Sequence, residues 1–206
     1  MSLADQTTAE SASTAPRRFR GAQAGETFVR IFQGEYYVTD QPDEVLSTVL
    51  GSCVAVCIRD PEIRVGGMNH FLLPSAASPS RQGYSLRYGV YSVERLINDI
   101  LSRGGERERL EVKVFGGANV LKGMAQIGSR NAEFVENYLA REGLPIAAKH
   151  LRGDIARRIR YYPTTGRVMM NRISRDVVNI GEQEIKLLDK NLLAPAAGKT
   201  ELFKPD

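Results

Sequence analysis

The sequence predicts an α+β or mixed α/β sandwich, a strand-rich core with mostly antiparallel sheets and two main helices. Three observations predict it. Short runs of β-branched and aromatic residues, separated by Gly, Pro and Asp turn signals, fill residues 27–73. Only two later segments change to a helical period. The order is strands, then helix, strand, helix and strands, which is not a regular βαβ array.

TFVRIFQGEYYVT (27–39) reads as two short strands around Gln33-Gly34. EVLSTVL (44–50) is a third. SCVAVCIRD (52–60) and IRVGGMNHFLL (63–73) are the next two, joined at Asp60-Pro61. PSAASPSRQG (74–83) has loop composition. From 89 to 102, Val90, Val93, Leu96, Ile97, Ile100 and Leu101 recur at helical spacing, and Gly104-Gly105 ends the pattern. LEVKVFGGA (110–118) is a strand closing on a glycine turn. Ser129 or Asn131 can cap a second helix through Arg141. PIAAKHL (145–151) is a strand, and IARRIRYYP with GRVMMNRI forms a hairpin around Thr164-Thr165-Gly166.

The domain organisation follows. Residues 1–24 carry few large apolar groups and cannot offset the entropy of ordering, so they read as a disordered tail. Residues 25–180 form the folded domain. Residues 181–206 form a second tail with a short helix near 182–189. The chain has 206 residues, 42% apolar, and a formal charge of +4. That balance permits an acidic or nucleic-acid partner without selecting one. No apolar run approaches the ~18 residues of a spanning helix, and residues 1–16 lack a signal-peptide pattern. A cytoplasmic location and free thiols are expected.

If Asp60 to Ile63 is the loop, Arg59 pairs with Arg64, Cys57 with Gly66 and Cys53 with His70. Directly opposed residues share a sheet face, with Cβ atoms roughly 4.5–5.5 Å apart. A thiol beside an imidazole can lose its proton and attack a carbonyl carbon, and the imidazolium then protonates the leaving group. Gly51 and Ser52 form a turn whose N–H groups could meet an oxyanion. An inert buried thiol beside an incidental histidine remains the alternative, since cysteine is often a core residue. Cys57, in mid-strand, reads as core and His150 as structural.

Zinc is a poor fit: Cys53 and Cys57 form C-x₃-C, and four ligands would require His150 from far along the chain. The glycine pairs at 66–67 and 116–117 lack phosphate-loop context and suit close backbone approach. No metal or cofactor is expected. Residues 150–175 hold seven arginines against Asp154 alone. On a strand Arg158 and Arg160 share one face and Arg157 takes the other, either as a solvated face or as a groove for an acidic segment. Tyr161-Tyr162 are the only stacking residues in this run, so a nucleic-acid partner is not expected.

LGSCVAVCIRDP, followed by a glycine pair and NHFLLP, resembles the chemoreceptor glutamine deamidase family CheD. FGGANVL (115–121), IGSRNAEFVENYLAREG (127–143) and TTGRV (164–168) agree, in order, and the resemblance spans roughly 27–180. It implies conversion of receptor glutamines to glutamate by a Cys–His–Thr constellation, without a cofactor. By position Cys53 is the nucleophile and His70 the base and acid. The family threonine usually lies six residues before the cysteine, which here is Ser47. Ser47 is therefore the first choice for the orienting hydroxyl, with Thr48 in reserve. HLRGDIARR departs from the Gly-Gly the family tends to carry before its arginine-rich strand. The substrate implied is a methyl-accepting chemotaxis receptor. The alternative is a non-catalytic adaptor that binds receptors or a CheC-like phosphatase, with no membrane insertion in either case.

Overall fold

A computed structural model of the chain describes residues 17–20, 25–73, 79–120, 126–173 and 200–203. These residues form three layers: a six-stranded sheet, a five-stranded sheet and two helices. The strands are β1 (Arg17–Arg20), β2 (Thr27–Arg30), β3 (Tyr36–Thr39), β4 (Glu44–Leu50), β5 (Val54–Asp60), β6 (Val65–Asn69), β7 (Glu111–Gly116), β8 (Ile146–Leu151), β9 (Ala156–Tyr162), β10 (Arg167–Ile173) and β11 (Thr200–Phe203). The first sheet runs β1-β2-β4-β9-β10-β11 and the second β3-β6-β5-β7-β8. Only the β2–β4 and β7–β8 pairs are parallel, so the expected strand-rich, mostly antiparallel α+β fold is the one observed. No helix among the described residues is long and apolar enough to cross a membrane.

Alternation along β5 builds two cores at once. Val54, Val56 and Ile58 face the helices, while Ala55 and Cys57 face the other sheet. The helix-side core takes Val93, Leu96, Ile97 and Ile100 from α1 (Pro79–Ser102) and Val135, Tyr138 and Leu139 from α2 (Ile127–Arg141). The sheet-to-sheet core takes Val29, Leu46, Leu50, Met68, Phe115, Ile159 and Tyr161. Each buried aliphatic side chain contributes roughly 1.5–3 kcal/mol. Cys57, only 1% exposed, belongs to this second core, as expected, and burial pushes its thiol up.

The two strands read around Gln33-Gly34 are both present, as β2 and β3, and they join different sheets. Other expectations need correction. α1 begins at Pro79, inside the stretch with loop composition. Proline suits a first helical turn, where no N–H is needed. Arg17–Arg20 pair with β2 although they fall in the expected tail. Their anchors are cationic, which an apolar count does not register. Arg17 lies over the Phe32 ring, Arg30 lies over Phe19, and Arg18 reaches the Tyr37 hydroxyl at 2.8 Å and Glu44 at 3.2 Å. At the other end, Thr200–Phe203 pair with β10. The proposed helix near 182–189 and the rest of both tails lie outside the described residues.

Candidate active site

The site forms where the chain crosses from one sheet to the other. β4 belongs to the first sheet and β5 to the second, and residues 51–53 make the turn between them. Inward peptide carbonyls hold this turn. Gly51 O accepts from Ala118 N at 2.9 Å, Ser52 O from Asn131 Nδ2 at 2.8 Å, and Cys53 O from Gly117 N at 2.7 Å. In a planar trans peptide the N–H opposes the C=O. The N–H groups of Ser52 and Cys53 are therefore directed away from β7 and α2.

Gly116 permits this packing. It has φ 117°, and a Cβ there would lie 2.2 Å from Cys53 O. Arg157 of β9, 2% exposed, braces Gly116 and the connection from β8 to β9. It donates to the carbonyls of Gly116, His150, Arg152 and Ile155. Arg157, read on the strand face opposite Arg158 and Arg160, is thus a clamp on four carbonyls. Arg152 pairs with Glu136 at 2.7 Å, Arg160 lies over Phe28, and Arg167 lies over Tyr162. Much of the arginine run is committed within the chain.

The β5–β6 hairpin has a four-residue turn, 61–64, and its register differs from the expected one. Cys57 pairs with Met68, Ile58 with Gly67 and Arg59 with Gly66. The Val54–Phe71 bridge continues that register. His70 therefore lies across from Ala55, and Cys53 is its diagonal neighbour on the same face. Diagonal neighbours of this kind are roughly 7–8 Å apart between backbones, a gap that long side chains bridge. The cysteine and histidine share the side that faces the other sheet, but they do not oppose each other directly. Cys53 is half-buried and in no disulfide.

His70 is 7% exposed, and its ring is fixed from the first sheet. Nδ1 lies 2.8 Å from Thr48 Oγ1 and 3.3 Å from Ile31 O. The Thr48 hydroxyl donates to Ile31 O at 2.8 Å, so its oxygen accepts from Nδ1–H. The neutral ring therefore carries its proton on Nδ1 and a lone pair on Nε2. Nε2 is buried and has no hydrogen-bond partner among the described residues. Burial drives the His70 pKa down, the Ile31 carbonyl pulls it partly back, and the result is about 4. The imidazole is neutral at pH 7, so the resting site is not a standing imidazolium–thiolate pair.

The hydroxyl that meets His70 is Thr48's, not Ser47's. Side chains alternate along β4, so Thr48 turns inward with Leu46 and Leu50, and Ser47 turns to the opposite face. The six-residue spacing that favoured Ser47 therefore lands on the wrong face of β4, and Thr48, one residue nearer Cys53, is the hydroxyl turned toward the histidine.

Three residues of the site escaped the sequence reading. Asn131 caps nothing: its Nδ2 holds Ser52 O, and its Oδ1 accepts from Leu73 N at 3.0 Å. It bridges the segments that carry Cys53 and His70. The signal was a polar residue on the apolar face of a helix. The α2 N-terminus is served from outside, with Asn119 Oδ1 accepting from Ser129 N at 3.3 Å. Asn69 is buried beside His70, accepting from Val56 N and donating to Ser92 of α1. Gln33, exposed in the turn between β2 and β3, places its Oε1 3.6 Å from Cys53 Sγ.

Residues 72–172 match the family model described as CheD chemotactic sensory transduction. A Rhodopseudomonas palustris protein is 55% identical over 193 residues, covering 91% of this chain and 89% of its own length. A Caulobacter vibrioides protein is 46% identical, covering 85% and 92%, and a Hahella chejuensis protein is 44% identical, covering 90% of each. All three carry the name "probable chemoreceptor glutamine deamidase CheD".

Proposed function

The chain belongs to the chemoreceptor glutamine deamidase family CheD, and on that footing we propose that Cys53, His70 and Thr48 are its catalytic centre. It is an amide hydrolase that converts glutamine side chains of chemotaxis receptors to glutamate. One observation carries the assignment of residues: a buried neutral imidazole whose Nδ1–H is held by Thr48 and Ile31, with an unpartnered Nε2 on the face it shares with a thiol.

The reaction follows from those atoms. Nε2 takes the Sγ proton as sulfur bonds to the glutamine Cδ. The carbonyl oxygen becomes an oxyanion, and the N–H groups of Ser52 and Cys53 are the proposed donors to it. The imidazolium gives its proton to the amide nitrogen, the C–N bond breaks, and ammonia leaves a thioester. Water then attacks with Nε2 as base, restoring the thiol and leaving glutamate. The imidazolium forms only in passing, and Thr48 Oγ1 keeps the ring in the tautomer that has its lone pair on Nε2. Thr48 takes the orienting role first assigned to Ser47.

The setting we propose is the cytoplasm, beside the receptors' helical signalling regions, with a CheC-like phosphatase as a further binding partner. Incubation with a receptor cytoplasmic fragment, followed by intact and peptide mass spectrometry, tests the reading. The expected result is the mass gain of amide becoming acid at particular glutamines, abolished in a folded Cys53→Ala variant. An unchanged receptor that still binds would instead favour the adaptor.

A further inference from the structure

We propose that Gln33 is a built-in carboxamide that occupies the substrate amide's place at Cys53 and competes with it; this rests on the deamidase reading. The side chain is chemically a glutamine amide, the group the enzyme acts on. Its Oε1 accepts from the Cys53 thiol at 3.6 Å. One S–H proton serves one acceptor at a time, so the thiol must leave Gln33 Oε1 before Nε2 can take its proton, and an incoming amide must take the place beside the sulfur that the Gln33 amide holds.

The placement is held by the loop and is not a stray surface contact. Gly34 N donates to His70 O at 2.7 Å, and His70 N donates to Glu35 O at 3.0 Å. Phe32 N donates to Glu35 Oε2 at 2.9 Å, and Glu35 N donates to Phe32 O at 3.0 Å. The turn carrying Gln33 is thus pinned to the backbone of the histidine that would activate Cys53. Ile31, at the root of the same loop, supplies the carbonyl that receives both Nδ1–H and the Thr48 hydroxyl. One short segment therefore orients the base and covers the nucleophile.

The experiment measures Cys53 alkylation by iodoacetamide in the full chain and in the Gln33→Ala and Gln33→Met variants. Cys57 is fully buried and serves as a silent internal control. Methionine keeps length and bulk but removes the amide. Both variants should label about three- to tenfold faster, the factor expected for losing one hydrogen bond. In receptor deamidation both should lower KM by a similar factor, with kcat held within about twofold. Wild-type labelling rates in both variants overturn the proposal, as does faster labelling in Gln33→Ala alone, which would make bulk the cause. A raised KM also overturns it, since Gln33 would then be helping substrate to bind. Labelling needs no turnover, so failure of the Gln33 contact is distinguishable from failure of the deamidase reading, which would show as a wild-type protein that leaves receptors unmodified.

Discussion

The two ends of the β5–β6 hairpin treat a buried ionisable group in opposite ways. At the turn end Asp60 is 0% exposed and fully served. Arg109 binds both of its oxygens, and the N–H groups of Glu62, Ile63 and Glu106 complete the shell. Burial alone would raise its pKa, but these hydrogen bonds outweigh it and carry it down to about 2. At the open end His70 is nearly as buried, yet it has one nitrogen satisfied and the other left open. A low-dielectric interior penalises any unpaired polar atom. The fold meets that demand at Asp60 and leaves it unmet at His70, where an unspent lone pair is what a general base needs.

The sharpest way to break this contrast is to remove each group in turn. His70→Gln should cut kcat by roughly a hundred- to ten-thousandfold, the usual contribution of a positioned acid–base group. Its urea midpoint should move less than that of Asp60→Asn. Asp60→Asn leaves Arg109 facing an amide, and its loss of stability should be well beyond the ~0.5 kcal/mol of a surface substitution. Its activity should survive at temperatures where it stays folded. If Asp60→Asn lost activity while folded, the two ends would not be separable.

pH separates the ends without mutation. The His70 pKa falls from 6.5 unfolded to about 4 folded, so the unfolded chain binds more protons between those values. Stability from this group is present above pH 6.5 and is lost as pH falls toward 4, about 3 kcal/mol in all. Asp60, moved from 3.8 to about 2, loses its contribution only between those two values. Urea midpoints against pH should show two windows, and His70→Gln should erase the upper one. The acid limb of kcat/KM should likewise fall near pH 4. A midpoint at 6.5 would mean that the imidazole is solvated when it works.

The contrast also marks what a sequence can carry. The extent of β4, the helical face of α1 and the β9–β10 hairpin follow from period and turn residues, which are local. That Cys53 and His70 share a face follows from alternation, and it survived a register shift of two residues because two is the period. Sheet membership did not follow, since nothing in TFVRIFQGEYYVT says that its halves part to opposite sheets. The roles of Asn131, Gln33 and Arg157 depend on partners 79, 20 and 41 positions away along the chain. A polar residue at a buried helical position was the one local sign of any of them.

The smallest expected effects test the finest part of the comparison, the choice between adjacent hydroxyls. Thr48 Oγ1 accepts from Nδ1–H and donates to Ile31 O, so it fixes the tautomer without touching the reacting atoms. Thr48→Val keeps the shape and removes that link, and Nδ1–H retains only the longer contact to Ile31 O. The ring can then adopt the other tautomer, which puts the proton on Nε2 and removes the base. A fall in kcat of about tenfold is expected, with KM unchanged and Thr48→Ser restoring most of the rate. Ser47 lies on the opposite face of β4, so Ser47→Ala should stay within about twofold of wild type. A Ser47→Ala variant as impaired as Thr48→Val would mean that the strand turns its other face to the histidine during catalysis. That would undo the tautomer assignment on which the open Nε2 depends.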